Sequence, residues 1–353
     1  MSEKYFYIIT VGILAFKLDC FSLPQSGVLE KENKSIIIGI TGDVMLGRLV
    51  NEHISRTNYS YPWGNMLNML KSNDLNLINL ETTLTTSTKK VLKVFNYKAD
   101  PDKVQCLIEA RIDVVNLANN HILDFSERGL IETIATLDKA GIKHVGSGVN
   151  KKEALSHVVI KKKGITIGIL GFTDNESSWE AEENKPGTNY LRVGDIEKIE
   201  NQIKRIRDKV DILIFSFHWG PNMRQKPTEE FQTFAHKVID LGVDIFHGHS
   251  AHIFQGIEIY QGNVILYDTG GFVDDYAVDP LLRNDQSFLY LMEVSKNGVQ
   301  KVELVPVLIS YMQVNQATGS DYREIVNKVK TLSEEFGTKI IETNEGLFVE
   351  LKG

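Results

Sequence analysis

Apolar residues in this chain come in short runs separated by stretches with helical periodicity. The runs are Ile36 to Ile40, Leu75 to Leu80, Val114 to Leu117, Ile165 to Leu170, Ile212 to Phe217, Val243 to Phe246 and Val264 to Tyr267. Their length and their β-branched and aromatic content are those of buried strands. Between them, amphipathic helices are expected over Asp102 to Ala110, Glu127 to Lys139, Glu197 to Lys209 and Glu229 to Leu241. Pro101 suits a first turn, where a missing N–H costs nothing, Ser126 reads as an N-cap, and Gly141 ends its helix. Such alternation predicts an α/β domain with a mainly parallel or mixed sheet. A last surface helix over Asp321 to Phe336 and a short strand over Gly346 to Leu351 are expected to pack on that domain. There is no internal repeat and no low-complexity tract.

Polar residues sharpen this picture, because several runs end directly in groups that bind metals or move protons. Ile40 leads to Gly42-Asp43, Leu80 to Glu81, Leu117 to Asn119-Asn120-His121, Phe217 to His218-Trp219-Gly220, and Phe246 to His247-Gly248-His249. Sites in open α/β sheets lie beyond the carboxyl ends of strands, so these clusters are expected to converge on one edge. Each piece alone has a plainer reading: Asp and Asn are ordinary turn formers, and a histidine is as readily a packed core residue. His53, His144, His157 and His236 lack partner motifs and read as structural.

Charge and composition narrow the partners. The 353 residues carry a formal net charge of -7 and show no basic stripe interleaved with aromatics, which argues against nucleic acid. Two cysteines, Cys20 and Cys106, are too few for a disulfide framework or a cysteine-rich zinc site. Near the N-terminus, Lys4 precedes an apolar run from Tyr5 to Phe16, well short of the ~20 residues that span a bilayer. Residues 1–22 are therefore expected to be a signal peptide cut after Ser22, or a membrane tether. Lipid attachment at Cys20 fits less well beside Lys17 and Asp19. Residues 23–35 read as a linker, 36–310 as the main domain and 311–353 as a helix and strand packed on it.

Carboxylates, amide oxygens and neutral imidazoles are the ligands of hard or borderline divalent metals, and two such ions side by side suit displacement at phosphorus. In order along the chain stand Gly42-Asp43-Val44-Met45-Leu46-Gly47-Arg48, Asn79-Leu80-Glu81-Thr82, Asn119-Asn120-His121-Ile122-Leu123-Asp124, His218-Trp219-Gly220 and Gly248-His249-Ser250-Ala251-His252. This ordered set resembles the CapA family of capsule and poly-gamma-glutamate synthesis proteins. Such proteins in turn resemble calcineurin-like metallophosphoesterases, whose fold is a two-sheet α/β/β/α sandwich.

The resemblance implies that Asp43 and His252 bind one divalent ion (Mn, Fe, Zn or Mg), that Asn120, His218 and His249 bind a second, and that Glu81 bridges them. It further implies that His121, oriented by Asp124, protonates a leaving group, and that Arg48 and Arg224 clamp an anionic substrate. Calcineurin-like proteins carry a histidine two residues after the first aspartate, where this chain has Met45, so the first ion is expected to be held more weakly. Two functions follow. One is an exported metal-dependent hydrolase of a phosphoester or an anionic polymer. The other is a non-hydrolytic assembly or transport factor that binds polyglutamate in the metal cleft, with a membrane-bound synthetase complex as a further partner.

Overall fold

The structure is a computed structural model that describes Met1 and residues 34–351. The expected leader or tether over 1–22, with Cys20, and almost all of the linker lie outside the described residues.

Two sheets face each other, and each has helices on its outer side. The first has a parallel half, Ile36–Val44, Leu75–Leu80, Val114–Asn116 and the edge strand Lys143–Val145. It is extended by antiparallel strands Gln286–Ser295, Gly298–Ser310, Gly346–Val349 and Ile340–Thr343. The second runs through parallel strands Ile165–Thr173, Ile212–His218, Ile245–His249 and Asn263–Leu266, with antiparallel edges Val158–Lys162 and Ile257–Tyr260. The seven apolar runs all lie in these strands or abut them, and the α/β/β/α sandwich is the architecture present. The pair Gln286–Ser295 and Gly298–Ser310 is not among those runs. It carries an apolar run of its own, Phe288 to Met292, flanked by Glu293, Lys301 and Glu303.

Strand parity decides which side chains enter the gap between the sheets. Ile36, Ile38, Ile40, Leu75 and Leu77 of the first sheet meet Ile165, Ile167, Ile212, Ile214 and Ile245 of the second in one buried cluster. On the outer face of the second sheet, Leu213, Phe215 and Phe217 pack against Ile199, Ile203 and Ile206 of the helix Ile196–Arg207. Each of these fully buried side chains contributes roughly 1.5–3 kcal/mol by leaving water. Outside the first sheet lie the helices Val104–Glu109 and Ser126–Ala140. Gly141 closes the latter in the left-handed region, φ 76°, as expected. Ser126 does not cap it: its own φ is 60°, and its hydroxyl turns back to the carbonyl of Phe125 at 2.6 Å.

One irregularity matters for the site. Along Ile36–Val44, Ile40 pairs with Leu77 but Asp43 with Asn79, so three steps on one strand match two on the other. This extra residue reverses the parity and turns Asp43 onto the same face as Ile40. Glycine is required inside the bulge, because a Cβ on Gly42 would stand 1.8 Å from the carbonyl oxygen of Gly270.

Candidate metal centre

With that bulge, parity carries Asp43, Asn79, Glu81, Ser216, His218, His247 and His249 into the gap between the sheets at the carboxyl ends of the strands. All are buried. His218 and His249 are direct register partners on adjacent parallel strands, so their rings arrive side by side, with Nδ1 atoms 3.0 Å apart. His252 arrives differently, from the loop after Ile245–His249. There Ser250 and His252 hold φ of 119° and 60°, and Asp268 fixes the turn by accepting the amide of Ala251 at 2.8 Å.

Two overlapping groups result, each with three ligand atoms within 4.8 Å of one another: Asp43, His218 and His249 in one, and Asp43, Glu81 and His252 in the other. Asp43 is common to both. Its Oδ1 lies 3.5 Å from His249 Nδ1, and its Oδ2 lies 2.9 Å from His252 Nδ1. Glu81 also reaches both sides, with Oε1 3.9 Å from His218 Nε2 and Oε2 3.8 Å from His252 Nδ1. The resemblance implied Glu81 as the bridge; here Asp43 belongs to both groups, and Glu81 reaches a nitrogen of each.

Hydrogen bonds fix the ligands' orientation. His247 Nε2 donates to the carbonyl of Thr41 at 2.9 Å, so its Nδ1 is the acceptor that takes the Ser216 hydroxyl at 3.1 Å. Ser216 Oγ in turn accepts from His249 Nε2 at 3.1 Å, which leaves the His249 Nδ1 lone pair facing Asp43. On the other strand, Asn79 Oδ1 accepts from the side chains of Asn119 and Asn116, so its Nδ2 is the end that donates to Asp43 Oδ1, at 2.7 Å. Asn120 adjoins the first group. Its Oδ1 meets His218 Nε2 at 3.0 Å, on the ring edge away from His249, while His218 Nδ1 has the Asn79 amide nitrogen at 3.3 Å.

This donor set fits divalent metal. Glu81 Oε1 is fully buried without a hydrogen-bond partner, and Asp43 Oδ2 and His252 Nδ1 face only each other, a state that is costly unless a cation joins them. The Nδ1 atoms of His218 and His249, 3.0 Å apart beside an Asp43 oxygen, likewise suit a cation. Charge follows the same logic. Burial holds His218 down at about 3 and His249 well below its ordinary value, so both rings are neutral and ready to ligate. For His252, burial alone would act the same way, but the neighbouring carboxylates of Glu81 and Asp43 push it up to about 10. A proton on His252 thus supplies the positive charge that an ion would supply. Met45, where a further histidine ligand would sit in the calcineurin-like pattern, packs into the outer core. Its sulfur accepts the amide of Gly47 at 3.1 Å.

Beside these groups stands a hydrogen-bonded His121–Asp124 pair. His121 Nδ1 is 2.6 Å from Asp124 Oδ2, and its Nε2 points toward Glu81 Oε1 at 3.7 Å. Burial is the main cause that lowers the His121 pKa, and the carboxylate of Asp124 opposes it. Tyr97 stacks on the ring with centroids 3.8 Å apart, and its amide donates to Asp124. Lys93 Nζ lies 3.2 Å from the second oxygen of Asp124.

The two arginines flank the site. Arg48 pairs with Asp275 at 3.3 Å and lies over Phe95 and Tyr97. Arg224 is wedged against Phe231 and Trp219, and its guanidinium nitrogens are buried without a partner. Ser216, Lys93 and Tyr97 went unnoticed in the sequence. Ser216 had one available signal, as the only hydroxyl in an apolar run, two residues before His218 and therefore on its face. Lys93 and Tyr97 had none, because they belong to an irregular loop.

Residues 37–276 match the family model described as bacterial capsule synthesis protein PGA_cap. The chain is 34% identical over 325 residues to the "Probable polyglutamine synthesis accessory protein" of Mycobacterium tuberculosis, covering 87% of this chain and 86% of that relative. To the "Capsule biosynthesis protein CapA" of Bacillus anthracis it is 29% identical over 291 residues, covering 80% and 69%. Among solved structures, a 5'-nucleotidase precursor from Thermus thermophilus aligns at 13% identity with a TM-score of 0.46, covering 84% of this chain and 59% of that one.

Proposed function

Since the chain belongs to the bacterial capsule synthesis protein family PGA_cap, we propose that it is a surface-associated accessory protein of capsule polymer synthesis. In this reading it acts as a metal-dependent hydrolase on an anionic polymer or a phosphoester. One observation carries the hydrolase reading: two three-ligand groups share Asp43, and the His121–Asp124 pair faces the same carboxylate, Glu81, that belongs to one of them.

Asp43, His218 and His249 would hold one divalent ion, and Asp43, Glu81 and His252 the other. When bound, such ions lower the pKa of a coordinated water and polarise an acyl or phosphoryl oxygen. The chain's own residues do the rest. Asp124 fixes the His121 ring and stabilises its protonated form, while burial makes that proton easy to give up, so His121 Nε2 serves the leaving atom. Arg224, with its nitrogens unpaired, and Arg48 at the rim draw in an anionic group and orient it. Tyr97 and Tyr276 wall the cleft; the Tyr276 hydroxyl lies 3.5 Å from Glu81.

A second reading is a non-hydrolytic assembly or transport factor that binds polyglutamate, and it has its own observation. Met45 gives no imidazole to the acid-rich group, which leaves that half without a second nitrogen ligand. Export of the chain and a membrane-bound synthetase as partner belong to both readings.

The test is metal analysis of the purified protein with a screen on phosphodiesters, phosphomonoesters and polyglutamate, comparing wild type with Asp43→Ala and His121→Ala. The hydrolase reading expects turnover lost in both variants, with metal lost only in the first. Turnover unchanged in both sinks the catalytic assignment, and full metal content without turnover selects the assembly factor.

A further inference from the structure

The segment between the short paired strands Thr83–Leu84 and Lys98–Ala99 is the region with the most exposed apolar surface near the centre. Leu92 is 105% exposed and Val94 90%, the values of side chains with almost no protein around them. The intervening residues point the other way and anchor the loop. Val91 donates its amide to the Asp124 carbonyl at 2.9 Å, and Lys93 reaches the Asp124 carboxylate and the Asn120 carbonyl. The loop is thus held in shape from beneath, with hydrocarbon outermost.

Its charge is as uneven as its polarity. Between Glu81 and Asp100 the sequence has no acidic residue and four lysines, in a chain whose net charge is -7. Lys89 and Lys90, next to the tip, are exposed and form no ion pair among the described residues. Apolar side chains at a protruding tip, with unpaired lysines at its base, match a lipid surface: the tip enters the acyl boundary while the lysines meet anionic headgroups. A soluble polyanion would satisfy the lysines and leave Leu92 and Val94 in water.

We propose that the loop from residue 86 to residue 96 docks the protein on an anionic membrane surface, inserting Leu92 and Val94 and pairing Lys89 and Lys90 with headgroups. Because the underside of this loop holds Asp124, docking places the mouth of the metal centre at the lipid surface. The proposal does not rest on the hydrolase reading.

The test uses the full chain carrying Leu92→Trp, with equimolar phosphatidylglycerol and phosphatidylcholine vesicles. Wild type is the reference spectrum: Trp63 and Trp219 are buried, and the half-buried Trp179, against Lys93, contributes to both spectra alike. The expected result is a blue shift and quenching by brominated acyl chains beyond those of wild type, absent with phosphatidylcholine alone. Adding Val94→Asp should weaken partitioning at least about tenfold, and each of Lys89→Gln and Lys90→Gln about fivefold. All four changes lie on exposed side chains, and an unchanged thermal transition verifies folding. Absence of brominated-lipid quenching at position 92 overturns the proposal, as does a blue shift with soluble polyglutamate but not with vesicles, which would make the loop a polymer contact.

Discussion

The two halves of the metal centre share Asp43 but are built by different means. In one half, His218 and His249 come from register-paired strands, and a relay through Ser216 and His247 to the Thr41 carbonyl sets the His249 tautomer. Its imidazoles are neutral because burial makes them so. In the other half, His252 comes from a loop in a strained left-handed conformation and stands between two carboxylates, protonated because they hold it so. The first half is pre-organised by the backbone, whereas the second is held together by charge. Strand-borne ligands have little freedom to leave, and loop-borne ligands answer to protons.

The largest effect should come from the residue both halves use. Asp43→Ala is expected to empty both groups, whereas His252→Ala should cost only the ion of the acid-rich half; metal counting by mass spectrometry separates the two. Acidity should then split the halves. To ligate, His252 must lose a proton held up to about 10, so affinity at the acid-rich half should rise about tenfold per pH unit below that value, as proton-linked titration calorimetry would record. The sign reverses for the metal-free protein. Because the folded pKa is raised, the stability from His252 is fully present below the ordinary value of 6.5 and declines above it, to be lost as pH rises through about 10. If pH moves both affinities equally, the distinction between the halves fails.

Breaking the relay is the next test. Ser216→Ala leaves the His249 tautomer unset and should weaken the strand-borne half about 10–100-fold while sparing the acid-rich half, read by competition with a metal-sensitive dye. The smallest effect belongs to Met45. Met45→Leu conserves volume in a packed core and should cost less than about 1.5 kcal/mol in denaturant unfolding, with metal content unchanged. A loss of metal there would show that the thioether contributes to the centre after all.

Most ligands of the proposed centre were legible as chemistry before they were legible as geometry. Strand ends carrying Asp43, Glu81, His218 and His249 pointed to one sheet edge, because apolar runs that stop at a polar group mark where a strand leaves the core. Asn120 was legible as chemistry in the same way, and the fold adds that its oxygen stands 3.0 Å from His218 Nε2. The antiparallel pair from Gln286 to Ser310 shows the limit of that reading: its apolar run Phe288 to Met292 ends in no metal-binding cluster and drew no attention.

What the sequence alone determined is the order of the elements and the identity of the polar groups at their ends, since periodicity and composition are local properties. Tertiary structure decided which of those groups stand within reach of one another. That Asp43 serves both halves depends on an extra residue between Ile40 and Asp43, legible only against a partner strand. That His252 carries a proton depends on two carboxylates 209 and 171 residues away in the chain, and their field exists only once folding has excluded the water between them.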